Sequence, residues 1–262
     1  MTSPDTAHFL NVTEMAGVEI SHEELKRLCH RYYWAGNYCC DLDVLEVACG
    51  AGPGLHYLAA KARSLKAGDY SPEVLARAKA PNGTELRVFD AQNIPFPDCS
   101  FDVVIIFEAL YYIPSASMFV AEAARILRPG GTLLITNANK DLYDFNPSPY
   151  STVYHGVIEL RDLLRPAGFE PAFSGYLRVD QVSLRQRILR PIKAAAVALN
   201  MMPKTMGGKK WLKRLVFGAT IAMPETILAD MVAYTPPEPI PGDAPDLVHK
   251  VIYCAAKRVQ PR

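Results

Sequence analysis

Residues 44–54 read Val-Leu-Glu-Val-Ala-Cys-Gly-Ala-Gly-Pro-Gly, and the fold follows from how this stretch is parsed. Val44–Ala48 is an apolar run long enough for a short strand and interrupted only by Glu46. Glycine then recurs at 50, 52 and 54, and Pro53–Ala62 reads as a helix. A strand that enters a glycine-rich turn and leaves as a helix aims backbone N–H groups, and the partial positive charge of a helix N-terminus, at the space over the strand's carboxyl end. Glycine at 50 and 52 permits positive φ and lets a ligand approach the backbone. In an open α/β sheet that space is the binding crevice.

Working outward, apolar runs alternate with amphipathic stretches from about Asp43 onward, the pattern of βαβ units and a parallel sheet. Further strands are predicted over Arg63–Gly68, Leu86–Phe89, Phe101–Phe107, Thr132–Thr136, Phe169–Val179 and Leu247–Ala256. Ser71-Pro72-Glu73 opens a helix with an N-cap, a proline at N1 and a first-turn acid. Phe119, Val120, Ala123, Ile126 and Leu127 fall at helical spacing, Arg128-Pro129-Gly130-Gly131 stops that helix, and Gly156–Arg165 reads as another. Upstream, a Ser21-x-x-Glu24 capping box begins a helix over Ser21–Ala35. Its core stripe is Leu25, Leu28, Cys29 and Tyr32, which leaves Tyr33 and Trp34 pointing elsewhere.

The ligand class follows from departures. A dinucleotide fingerprint starting at Gly50 requires glycine at 55, where the chain has Leu55, and no Gly-Lys-Ser/Thr P-loop is present. Glu46, four residues before Gly50, repels a pyrophosphate and suits a ligand with ammonium and sulfonium charge; it serves equally well to brace the loop by accepting backbone hydrogen bonds. Asp69 follows the second strand, 23 residues after Glu46, and is placed to accept from the two hydroxyls of a ribose. Tyr70 offers an apolar face to a purine, Asp90-Ala91 ends the third strand, and Phe107-Glu108 ends the fourth.

The composition bounds the rest. Of 262 residues, 50% are hydrophobic and 21% charged, enough for a sizeable core. Lys+Arg 28 against Asp+Glu 27 leaves +1, which gives no reason to expect nucleic-acid binding. The six cysteines form no CxxC pair and have no histidine at metal spacing, so no metal site is predicted and the thiols suit a reducing compartment. Met1–Val12 shows no signal-peptide pattern, and the longest apolar stretches, within Leu215–Met223, fall short of the ~20 residues of a spanning helix. A cytoplasmic protein is expected.

Taken together, VLEVACGAG (44–52), LKAGDYS (65–71), VFDAQNIPFPDCSFDVVIIFEAL (88–110) and RILRPGGTLLIT (125–136) resemble class I S-adenosylmethionine-dependent methyltransferases, in the group related to the ubiquinone/menaquinone biosynthesis enzymes. The resemblance implies an α/β, doubly wound, Rossmann-like sheet of seven strands in the order 3-2-1-4-5-7-6 with the last strand antiparallel. It implies S-adenosyl-L-methionine as cofactor and S-adenosyl-L-homocysteine as product. Gly50 and Gly52 would then line the methionine part, Asp69 take the ribose, and Asp90 and Ala91 flank the adenine, with Glu46, Ala48, Tyr70 and Phe107 as further expected cofactor contacts. Tyr33, on a helix that closes over the cofactor in this fold, would add an aromatic contact. One domain over 1–262 is expected: an N-terminal helical arm (1–40), the cofactor-binding core (41–180), a basic helical cap with a proline-rich loop (181–240) between the last two strands, and the final strand (246–262).

Methyl transfer asks the protein to hold a nucleophile close to the methyl carbon and to exclude water. A hydroxyl nucleophile also needs a base, most often histidine. His155, in the polar and aromatic loop 146–156 beyond the fifth strand, is the candidate base or substrate contact, and Tyr111 and Tyr112 are candidates for the acceptor wall. The expected acceptor is a small molecule, oxygen first, then nitrogen, then carbon, on a sugar, lipid, quinone or secondary metabolite. Residues 181–224 carry nine basic residues and no acid, so the remainder carries 1 − 9 = −8. This segment suits a lid over an anionic acceptor, weak contact with an anionic membrane, or a solvated face. The competing readings are a cofactor-binding protein that regulates or catalyses a rearrangement, a membrane-surface methyltransferase of an anionic lipid-linked substrate, and a macromolecular methyltransferase.

Overall fold

A computed structural model gives the architecture and describes residues 13–180 and 220–259. In chain order the elements are β1 (Glu19–Ser21), α1 (His22–Gly36), β2 (Asp43–Val47), α2 (Leu55–Ala59), β3 (Ser64–Asp69), α3 (Pro72–Leu75), β4 (Glu85–Val88) and β5 (Phe101–Phe107). They continue with α4 (Ala116–Ile126), β6 (Leu127–Ala138), α5 (Val157–Leu164), β7 (Phe169–Arg178), β8 (Thr220–Ala222), β9 (Glu238–Ile240) and β10 (His249–Arg258).

The main sheet runs β4-β3-β2-β5-β6-β10-β7-β9, and β1 and β8 form a separate antiparallel pair. β4, β3, β2, β5 and β6 are parallel neighbours, whereas β10 is antiparallel to both β6 and β7. Among the described residues the sheet therefore has eight strands rather than the expected seven. The extra one, β9, pairs antiparallel with β7 inside the proline-rich stretch read as a loop. Pro239 is tolerated there because β9 lies at the edge, where a missing N–H removes no interior ladder bond. The expected helical character of 181–219 lies outside the described residues.

Strand alternation sorts side chains to the two faces. Val103, Ile105 and Phe107 pack on the face covered by α1 and α2, while Val104 and Ile106 pack on the face covered by α4 and α5. The same alternation in β2 sends Leu45 and Val47 to the α4–α5 face and Val44 to the α1 face. Glu46 consequently projects beneath α1.

Two boundaries differ from expectation. The helix after the glycine loop is only Leu55–Ala59, so it brings little macrodipole to the crevice. The Arg128–Gly131 stretch ends α4 as expected but continues as strand within β6, with Gly130 at φ 77° and a register shift against β5 between Phe101 and Val103. The capping box at Ser21 and Glu24 forms in full. From Leu28 onward every residue of α1 is buried, since Met223, Ile227 and Tyr234 from the segment before β9 pack with it on the side away from the sheet.

Candidate active site

The carboxyl ends of β2, β3 and β5 and the residues just after β4 open into one cavity of about 350 Å³. Its floor is the glycine loop. Ala48, Gly50 and Gly52 have φ of 54°, 60° and 69°, so the backbone reverses at every second residue. At Gly50 an added Cβ would lie 3.1 Å from Thr13 Cγ2, so glycine keeps that floor clear for a ligand as well as adopting the left-handed turn. Ala48 takes the same left-handed conformation with a side chain, a strained geometry typical of functional loops.

Asp69 locks this loop to β3. Its Oδ2 accepts from the Gly50 N–H at 2.9 Å and its Oδ1 from the Ser71 N–H at 3.0 Å. Burial raises its pKa despite these bonds. Glu46 is 2% exposed and lines the cavity. Tyr32 of α1 donates to its Oε1 at 2.7 Å, while Oε2 is buried with no partner among the described residues. Desolvation outweighs the Tyr32 bond and pushes this carboxyl up to about 7. A buried carboxyl oxygen left without a partner calls for a hydrogen-bond donor from whatever fills the cavity.

At the far end Asp90 and Ala91 line the wall, with Asp90 Oδ1 accepting from Gln92 N at 2.8 Å. Tyr70, 41% exposed, stands at the rim. On the opposite side Phe107 and the 3-10 turn Leu110–Tyr112 close the cavity. Tyr111 is buried and donates to Glu108 Oε2 at 3.0 Å, and burial drives its phenol pKa well up. The loop after β6 clamps this turn: Thr152 N donates to Tyr111 O at 2.7 Å, and Tyr154 stacks on the Tyr111 ring at 4.2 Å.

The structure thus brings Glu46, Ala48, Gly50, Asp69, Tyr70, Asp90, Ala91, Phe107 and Tyr111 to one cavity. Three expected residues lie outside its lining. Gly52 supports the loop from behind, with its N–H on Cys49 O at 3.0 Å. Tyr33 is turned outward, because α1 is covered on both sides; its hydroxyl donates to Leu228 O at 2.7 Å and accepts from Met231 N at 3.0 Å. The neighbouring Tyr32, assigned to the core stripe, is the tyrosine that faces the site. His155 is likewise displaced. Its Nδ1 is buried without a partner among the described residues and burial lowers its pKa, while the neighbouring Tyr154 stacks on Tyr111. Glu14, Arg27, Arg31 and Gln92 join the lining without having been singled out. The four-residue spacing of Arg27 and Arg31, one face of one helix, was the available signal.

Among the described residues no cluster of three His, Cys, Asp or Glu side chains is placed to hold a metal ion, and no helix is long and apolar enough to cross a membrane. The lining is compatible with S-adenosylmethionine: an open glycine floor, a buried carboxyl oxygen without a partner among the described residues, and Asp69 and Asp90 along the same cavity.

Comparison with known proteins agrees. Residues 45–135 match the family model described as a methyltransferase domain. Over residues 45–135 the chain is thus similar to S-adenosylmethionine-dependent methyltransferases, a family whose cofactor is S-adenosyl-L-methionine. A probable S-adenosylmethionine-dependent methyltransferase of Mycolicibacterium smegmatis is 35% identical over 151 residues, covering 55% of this chain and 56% of that protein. A fatty-acid O-methyltransferase of the same organism is 36% identical over 134 residues, covering 47% and 48%. The chain thus spans about half the length of the curated relatives it matches. The YcgJ protein of Bacillus subtilis shares the fold, with a TM-score of 0.57 and 16% identity over 88% of this chain and 99% of that one.

Proposed function

We propose that this protein transfers a methyl group from S-adenosylmethionine to an oxygen of a small, largely apolar acceptor of the lipid type. The supporting observation is the meeting, in one cavity, of a nucleoside-binding half with an aromatic and apolar half. Glu46, Gly50, Asp69 and Asp90 supply the first, and Tyr111, Tyr112, Ile113 and Pro114 the second. The similarity to a fatty-acid O-methyltransferase supports the oxygen and the lipid character.

The cofactor, when bound, supplies an electrophilic methyl on a sulfonium. The chain's own residues do the positioning. Asp69 can accept from both ribose hydroxyls while keeping a backbone bond to the loop. Asp90 can take an amino group, and Glu46, neutral when buried and empty, ionises when a cation sits against it. The Tyr111 ring, held by Thr152 and Tyr154, gives the acceptor a fixed wall and keeps water out.

The test is transfer of label from methyl-tritiated S-adenosylmethionine to a panel of fatty acids, phenols and sterol-like alcohols, with products identified by mass spectrometry. A labelled lipid with equimolar S-adenosylhomocysteine is the expected result. Tight cofactor retention with no labelled product from any acceptor would favour binding without transfer.

A further inference from the structure

Transfer to a hydroxyl needs a group that takes the hydroxyl proton, and the histidine expected for that task, His155, lies outside the cavity lining. Among the described residues no histidine or lysine lines the cavity. The Cys49 thiol and the Tyr32 and Tyr111 phenols that do line it are driven well up by burial, so they keep their protons. Carboxyl groups remain, and most are engaged elsewhere. Asp69 accepts from the Gly50 and Ser71 N–H groups, Asp90 from Gln92 N, Glu14 from Arg31, and Glu46 from Tyr32 beneath α1.

Glu108 stands apart, on the aromatic side of the cavity. It follows β5 directly, in the left-handed region at φ 50°, with its N–H on Thr136 O at 2.9 Å. A glutamate in that region is strained, and such strain collects where function demands a direction of the side chain. The turn brings the carboxylate into the lining beside Tyr111, whose hydroxyl donates to Oε2 at 3.0 Å. Arg27 Nη2 lies 3.9 Å from the same oxygen, an ion pair that balances the charge, and the Glu108 side chain is 15% exposed. No described residue donates to Oε1. One oxygen is held, and the other is unspent.

We propose that Glu108 is the catalytic residue that receives the acceptor's proton, so that the acceptor group is a neutral hydroxyl and not a carboxylate. This rests on the methyl transfer proposed above. Both lining arginines are already paired with acids, Arg27 with Glu108 and Arg31 with Glu14, so a carboxylate beside Glu108 meets a like charge and no spare cation. A hydroxyl donates to Oε1 instead. As its oxygen bonds to the methyl carbon, the sulfur–carbon bond breaks with its electron pair left on sulfur. The O–H proton passes to Oε1 and from there to solvent.

Glu108→Gln removes the charge and keeps an acceptor for Tyr111, and two measurements on it test the proposal. In calorimetry on protein saturated with S-adenosylhomocysteine, the variant should bind decanoate at least about fivefold more tightly than the wild type does, and decanol no more tightly. In initial-rate assays with methyl-tritiated S-adenosylmethionine, kcat for 4-hexylphenol, which keeps its proton in mildly alkaline buffer, should fall by about 100-fold or more. For 4-nitrophenol, largely ionised in the same buffer, it should fall by less than about fivefold, because no proton has to be removed. Equal losses for the two phenols, or no selective gain for decanoate, overturn the proposal. If the wild type methylates neither phenol, that result counts against the transfer reading, and the calorimetry decides the place of Glu108: a selective gain for decanoate supports it and no gain overturns it. Should Glu108→Gln not fold by circular dichroism, Glu108→Asn, equally neutral and better suited to the left-handed region, replaces it with the same expectations.

Discussion

Glu46 concentrates the chemistry of single residues in this protein. A carboxyl held up to about 7 inside the fold, against 4.5 unfolded, binds protons in the native state that the unfolded chain has released. The native state is therefore favoured by this group below about pH 4.5, and the contribution is lost as pH rises to 7. Glu46→Gln keeps an acceptor for Tyr32 and removes the titration. Its stability in urea denaturation should exceed that of the wild type by about 1–3 kcal/mol at pH 8 and match it near pH 4.5, while its cofactor affinity falls. Equal stability at both pH values would show that Glu46 ionises freely. Asp69 works differently, because its loop bonds are made before any ligand arrives. Asp69→Ala should weaken S-adenosylhomocysteine binding by about 1–3 kcal/mol in calorimetry, through the lost charge-assisted bond and a loosened Gly50. An unchanged affinity would remove Asp69 from the ribose.

Between elements, the critical contact is that of the glycine loop with α1. At Gly54 an added Cβ would lie 2.0 Å from Tyr32 Cε1, and the Tyr32 ring is fully buried beside Phe107, 5.4 Å between centroids. Gly54→Ala should therefore destabilise by about 1–3 kcal/mol in thermal or urea unfolding and, by shifting Tyr32 off Glu46, weaken cofactor binding as well. Destabilisation without any binding change would mean that the loop and the site are mechanically independent. The glycines at 50, 52 and 54 were legible as a loop from their spacing alone. That Gly54 serves packing, while Gly50 faces the ligand, was not, since the partner Tyr32 lies 22 positions upstream. That Tyr33 lies outside the cavity lining and Tyr32 within it was hidden for a related reason. Helical periodicity identifies a buried face only when one face is buried, and α1 is enclosed on both sides.

For the molecule as a whole, His30 ties α1 to the far end of the sheet. Tyr253 of β10 lies 2.8 Å from its Nδ1, and its Nε2 lies 2.6 Å from the Thr235 carbonyl, to which it donates, with Tyr176 stacked on its ring at 3.5 Å. Burial lowers its pKa to about 4, so the fold prefers it neutral. Its contribution is present above pH 6.5 and lost as pH falls toward 4, opposite in sign to that of Glu46. The two offset each other in the wild type. In the Glu46→Gln background stability should fall by about 1–2 kcal/mol between pH 6.5 and 4.5, and adding His30→Gln should abolish that fall. A wild-type stability that already drops steeply over this range would show that the two groups do not offset each other.

The sequence alone determined the parallel order of βαβ units, the crevice over the leading strands and the acids that ring it, because these depend on local spacing: a strand end, a glycine turn and a carboxylate are neighbours in the chain. It determined the cofactor class for the same reason. Only the tertiary structure decided which face of α1 meets the site, that Tyr154 stacks on Tyr111 while His155 stays outside the cavity lining, and that Arg27 and Arg31 of α1 reach the cavity. Those outcomes depend on which distant segments cover an element and on how completely each buried polar atom is matched, and neither is written in the spacing of residues along the chain.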